Sequence, residues 1–260
     1  ILPGSDEGGI YTLNAARSFQ TLVNEVDNLL VFDNDAWRKT GESVQSGYDE
    51  INDEIVRRFG ILFGAGEVKQ GQEVAESVVD SSEIINTLSG GGVSTVGYAS
   101  ETIERKQNSG GLLSKLTGND ESIEDQLDSA NTTNRITSLV RKAALGRLTL
   151  PCEIDGTERA LLVMAGPSAY LNRKGIERGR KWLEEQTGSM EVRGGDYPVN
   201  DSDFVASAIL LSGVTNVPRI KELQQVAIEA QDNISEIREE SEANLQNLVE
   251  DDEDELESLF

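Results

Sequence analysis

Leu29-Leu30-Val31-Phe32-Asp33-Asn34-Asp35-Ala36-Trp37 passes from four apolar residues into a turn-forming triplet. An apolar run ending in such a cluster predicts a buried strand over 29–32 that stops at Asp33. Downstream, Tyr48, Ile51, Ile55, Phe59, Leu62 and Phe63 recur at helical spacing, which predicts a long helix over about 43–63. At 1.5 Å per residue it is about 30 Å long, enough to cross a domain. Tyr48 and Asn52 lie four residues apart, so they share one face of it. Asn34, Tyr48 and Asn52 together offer two amides and an aromatic ring, which suit the edges and face of a flat heterocycle such as a purine. Taken singly, each has an ordinary reading: a turn residue, a core aromatic and a helix-surface amide.

Outward from this stretch, the pattern keeps alternating. A short helix is predicted over 12–27, with Leu13, Phe19, Leu22, Val23 and Val26 apolar. Glycines and polar residues at 64–73 read as a loop, and Val78 to Glu83 opens a helix to about Leu88. Ser89 to Gly92 turns into a strand over Val93–Tyr98, and polar residues 101–130 read as a surface loop. A helix over 132–145, a strand over 159–165, a helix over 169–186 closed near Gly188, and strands over 190–193 and 203–211 follow. Such alternation predicts an α/β fold. From Pro218 to about Leu248, Ile220, Leu223, Ala227, Ala230, Ile234 and Ile237 make an apolar stripe on an acidic helix. The run Glu250-Asp251-Asp252-Glu253-Asp254-Glu255 is expected to be disordered.

Composition narrows the function classes. The 260 residues carry 23 bases, 47 acids and a net charge of −24. Residues 239–260 hold ten of the acids and no base, which leaves 37 acids against 23 bases in the body. A non-specific nucleic-acid binder needs a basic face, so that class is set aside. With 15 Arg against 8 Lys, the surface resembles that of proteins from salt-rich cytoplasm, where ~1 M salt shortens charge repulsion to about 3 Å. The single Cys152 excludes an internal disulfide and a cysteine zinc cluster, and the lack of histidine excludes histidine catalysis and ligation. No signal peptide is visible, and no apolar run approaches the ~18 residues of a bilayer span. A cytoplasmic protein without a transmembrane segment is therefore expected.

Three stretches taken together carry a resemblance. Asp33-Asn34-Asp35-Ala36, Tyr48-Asp49-Glu50-Ile51-Asn52 and Val79-Asp80-Ser81-Ser82-Glu83 occur in the order and spacing of the tubulin/FtsZ superfamily. Asn14 to Phe19, Val31 to Trp37 and Asp80 to Leu88 are similar to its CetZ branch, from salt-loving archaea. The match runs from residue 1 to about 215. It implies the C-terminal part of a tubulin/FtsZ-like GTPase domain: a remnant of the GTP-binding domain with the central helix over 1–63, then an α/β activation domain with a mixed sheet over 64–215. A C-terminal helix over 216–248 and an acidic tail over 249–260 complete the expected organisation.

The resemblance implies roles for six residues. Asn34 sits in a guanine pocket, Tyr48 stacks on the base, Asn52 bonds its edge, and Glu7, in Asp6-Glu7-Gly8-Gly9, contacts the ribose. Asp80 and Glu83 lie in the loop that inserts into the next subunit's nucleotide site. There Glu83 activates water for attack on the γ-phosphate and Asp80 supports it. Read without the resemblance, the same two acids favour a helix N-terminus through the dipole. Val78 stands where an Asn is common in the bacterial pattern, and Glu83 where an Asp is common. GTP is the implied ligand, with Mg²⁺ accompanying it; no protein metal site is expected. The implied partner is a second copy, joined head to tail into filaments that control cell shape.

Gly90-Gly91-Gly92 lacks the Lys-Ser/Thr of a phosphate loop and precedes a strand. The family's Gly-Gly-Gly-Thr-Gly-Ser signature is expected upstream of Ile1, so the chain is expected to be N-terminally truncated and inactive alone. Leu256, Leu259 and Phe260 beside the acid run suit a short docking peptide for a protein partner. Two alternatives stay open: a non-catalytic module acting on filaments, and an unrelated acidic adaptor whose partner helix is 218–248.

Overall fold

Arg159–Gly166 and Phe204–Ser212 are buried along nearly their whole length, as strands covered on both faces must be. In the computed structural model they form the middle of a five-stranded sheet. The structure describes residues 1–38, 44–65, 79–103 and 121–256; of 44–46, 121–128, 234 and 246–256 the backbone alone is described. The elements in chain order are α1 (Gly9–Glu25), β1 (Leu29–Leu30), α2 (Asn34–Trp37), α3 (Val44–Ala65), α4 (Ser81–Leu88), β2 (Val93–Thr102), α5 (Glu121–Leu145), β3 (Arg159–Gly166), α6 (Arg173–Thr187), β4 (Glu191–Pro198), β5 (Phe204–Ser212) and α7 (Pro218–Leu256). A short 3₁₀ turn at Ser168–Tyr170 precedes α6.

The strand order is β1-β2-β5-β3-β4, with β5 antiparallel to both neighbours and the other pairs parallel. Successive side chains of a strand point to opposite faces, and the core divides accordingly. Ala160, Leu162, Met164, Ile209 and Leu211 face α5, α6 and α7 through Ile136, Leu139, Val140, Ile176, Leu183 and Leu223. Leu161, Val163, Ala165, Ala208 and Leu210 face α3 and α4 through Ile61, Leu62, Ala65 and Ile84. The result is a three-layer helix–sheet–helix sandwich. Each fully buried Leu in it contributes about 1.5–3 kcal/mol of transfer free energy.

Several expectations shift. The strand expected over 29–32 is regular only at Leu29–Leu30; beyond it Asp33 bridges Leu2. α1 buries Thr12 and Ala16, while Leu22, Val23 and Val26 of its expected apolar face are exposed. It packs on α7, with Ala15 and Phe19 half-buried against the core beside Thr12 and Ala16. Residues 121–130, expected in a loop, begin α5. Glu121, Glu124 and Asp125 suit a helix N-terminus, and Ile123, Leu127 and Ala130 follow at helical spacing, a sparse stripe among polar neighbours. α7 likewise runs past Leu248 through Glu250–Glu255, which the charge run marks as disordered; Glu is a good helix former. Of the loop expected over 64–73, Gly64 and Ala65 instead end α3, while 66–73, Val78, Leu259 and Phe260 lie outside the described residues. β1, from the segment before the central helix, pairs with β2, from the segment after it.

Candidate functional site

The expected residues fall into two groups at opposite edges of the sheet. The first lies where the chain leaves β1. Asp33 is held by its N–H on the Thr149 carbonyl, 2.8 Å, and caps α2 through its carboxylate. Asn34 opens that helix and donates its N–H to the Leu2 carbonyl at 3.0 Å. Its side chain is buried, and its Oδ1 has no hydrogen-bond partner among the described residues. A buried amide oxygen left unpartnered costs about 1–3 kcal/mol, so this atom marks a place for a donor. The loop before α1 folds tightly against this turn: Gly4 N–H donates to Glu7 Oε1 at 2.7 Å, and Ser5 N–H to Asp35 Oδ1 at 2.7 Å. Arg38 pairs with Asp6 across the loop mouth.

Tyr48, half-buried near the start of α3, joins this group because its hydroxyl hydrogen-bonds Glu7. Burial raises the phenol pKa, and the Glu7 bond raises it further. The structure therefore brings Glu7 and Tyr48 together and sets them beside the Asn34 loop. Asn52 stands exposed one turn along α3, on the Tyr48 face.

Sequence reading missed one residue here. Arg219, at the start of α7, places Nε 3.4 Å from Asp33 Oδ1 and donates through Nη2 to the Pro3 carbonyl at 2.9 Å. Burial pushes the Asp33 carboxyl up to about 6, with Arg219 opposing it. The available signal was electrostatic: a base in the first turn of a helix opposes the dipole and calls for an acidic partner.

The second group opens α4. Val79 is buried and donates its N–H to the Asp196 carbonyl of β4 at 3.3 Å. Asp80 caps the helix, its Oδ1 accepting from Glu83 N–H at 3.0 Å and from Ser82 Oγ. The bond from Ser82 and that from Glu83 N–H hold the Asp80 carboxyl below its ordinary range. Glu83 moves the other way, raised by burial and by the Asp80 charge, with Arg193 opposing. One carboxylate stays ionised while its neighbour becomes the better proton acceptor, the division of labour a general base with an electrostatic support requires.

The groups do not meet within one chain. α3 joins them: Tyr48 lies beside Glu7 at one end, and Gly64 at the other sits under Tyr197, with 3.1 Å from its Cβ position to the hydroxyl. Tyr197 follows Asp196, which holds Val79. Sixteen helical residues span about 24 Å. Crossing the sheet from the β1 edge to the β4 edge gives about 19 Å at ~4.8 Å per strand. Among the described residues no cluster of three potential metal ligands occurs, and no helix is long and apolar enough to cross a membrane.

Comparison with known proteins identifies the family. Residues 41–229 match the family model for the tubulin-like CetZ C-terminal domain. The chain is 84% identical over 239 residues to the tubulin-like protein CetZ1 of Haloferax volcanii, covering 92% of this chain and 60% of that protein. It thus spans less than two thirds of that relative's length. The GDP-bound monomer structure of CetZ1 from Haloferax volcanii superposes with a TM-score of 0.72 at 72% identity, over 88% of this chain and 58% of that one. The GTPγS-bound protofilament of CetZ2 from the same organism gives 0.71 at 40% identity, over 90% and 60%. A mixed α/β sandwich and a family match over most of the chain lead to one assignment: this chain belongs to the tubulin-like CetZ family.

Proposed function

We propose that the chain supplies the guanine-side wall and the hydrolytic carboxylates of a tubulin-like GTPase that polymerises head to tail. The observation that carries this reading is the separation of the two groups by the length of α3. A pocket and its carboxylates set about 24 Å apart serve one reaction when copies stack, pocket of one against α4 of the next. Such a heterologous contact extends into a filament. The protofilament form of the CetZ2 relative supports this reading.

In the pocket, Asn34 Oδ1 accepts from the guanine N–H groups, the Tyr48 ring covers the base, and Asn52 bonds its edge. Glu7 accepts from the ribose hydroxyls while keeping Tyr48 in place. On the neighbouring copy, Glu83 orients the attacking water and takes its proton. Asp80, ionised and fixed by the helix N-terminus, supports the charge that develops. Phosphoryl transfer depends on this kind of positioning and electrostatics. Mg²⁺ accompanies the nucleotide's phosphates. The filament serves cell shape in the cytoplasm, and the acidic C-terminus offers a site for a protein partner.

Mixed variants of the full-length protein test the shared site. Asn34→Ala and Glu83→Ala each abolish most GTP turnover when alone. Mixed in equal amounts they recover roughly a quarter of wild-type turnover, the chance that a random head-to-tail junction joins an intact pocket to intact carboxylates. A mixture no more active than its components refutes the shared site.

A further inference from the structure

α6 is a basic helix in an acidic protein. Lys174, Arg178 and Lys181 are exposed and follow one another at i, i+4 and i+7, one straight stripe. The stripe points away from the sheet, opposite the buried Ile176, Gly179 and Leu183. Arg173 and Arg180 on the same helix pair with Glu177 and Glu184, whereas the three stripe residues make no ion pair or hydrogen bond among the described residues. Lys174 and Arg178 also border a hollow of about 400 Å³ against α5, floored by Ser129, Thr133 and Asn134. In a chain of net charge −24, three unneutralised cations in one line are the exception.

α7 carries the complementary pattern. Its first half is seated by the buried Leu223 and the half-buried Ile220 and Ala227. From Gln231 to Leu245 every described side chain is exposed. On the side opposite Leu223, Asp232, Glu236 and Glu239 repeat the same i, i+4, i+7 spacing. Both triplets therefore span about 10.5 Å, at 1.5 Å per residue.

We propose that the α6 stripe docks the acidic arm of α7 from a second copy of this chain. Lys174, Arg178 and Lys181 face Asp232, Glu236 and Glu239 pair by pair. Glu185, the next residue along the α6 stripe, then meets an uncharged one: Ile228 if the helices run antiparallel, Ala243 if parallel. Neither orientation sets acid against acid at that point. The contact uses neither the Asn34 pocket nor the Asp80–Glu83 pair, so it forms without nucleotide and links copies other than through the head-to-tail junction.

Charge exchange tests it, with association followed by sedimentation of the full chain without nucleotide. K174E/R178E/K181E is expected to weaken association roughly tenfold, the sum of three exposed pairs, and D232K/E236K/E239K to do the same. Mixing the two variants restores association, because each then offers what the other needs. All six positions are exposed, so both variants are expected to keep their fold, which circular dichroism checks. Three results would overturn the proposal: a wild-type chain that does not self-associate, an α6 reversal without effect, or a mixture that is not rescued. The last would mean that the stripe receives some other acidic partner.

Discussion

Asn34 and Asp33 are adjacent and do opposite things. Asn34 keeps an acceptor oxygen buried and, among the described residues, unpartnered, which is the feature a ligand would satisfy. Asp33 is already committed, to α2 and to Arg219. Its carboxyl titrates near 3.8 when unfolded and at about 6 when folded. Between those values the folded chain holds a proton that the unfolded chain has released. The stability due to this group therefore falls as pH rises through the window. Asp33→Asn is expected to flatten the slope of thermal stability between about pH 4 and pH 6. An unchanged slope would show that Asp33 is not the group responsible. Arg219 also touches Pro3, so one guanidinium ties the C-terminal helix to both strands of the pocket loop.

At the scale of elements, the close approach of α5 to β2 has a local cause. A Cβ at Gly97 would stand 2.2 Å from the Ala143 carbonyl oxygen, backbone against backbone. Gly97→Ala is expected to cost about 3 kcal/mol, the upper range for overpacking, seen as a lower denaturation midpoint. A midpoint within error of wild type would show that α5 can retreat from the sheet. The elements legible in the sequence were those with a period: α3, β3, β5 and the first half of α7 each repeat apolar residues at 3.6 or stay apolar throughout. Those misread show a sparse one or a misleading one. The start of α5 sets only Ile123, Leu127 and Ala130 among polar residues, the end of α7 is a run of acids, and α1 buries Thr12 and Ala16 where the sequence pointed to Leu22 and Val23. The candidate site divides likewise. Asp33-Asn34-Asp35 and Asp80 announce their turns and caps locally, whereas Arg219 reaches Asp33 only through the tertiary fold.

For the whole molecule, charge acts on folding and association in opposite senses. With a net charge of −24, the folded body repels itself. Raising salt from about 0.1 M to 1 M shortens that repulsion from about 10 Å to 3 Å. Thermal unfolding is expected to move to higher temperature over this range, and a midpoint that falls with added salt would contradict this. The same screening weakens attraction between the α6 stripe and an α7 arm, leaving pairs in direct contact.

The parallel pairing of Leu29–Leu30 with Val93–Ser94 has one more consequence. It stitches the segment before α3 into the same sheet as the segment after α4, and Arg219 fastens the loop at Pro3 from the far end of the chain. Severing the backbone between Ala65 and Val79, by cleavage at an inserted protease recognition site, should therefore leave a nicked complex. Its two pieces are expected to co-elute in native chromatography and to part only in denaturant. Pieces that separate on cleavage would mean that covalent continuity, rather than strand pairing, keeps the halves in register.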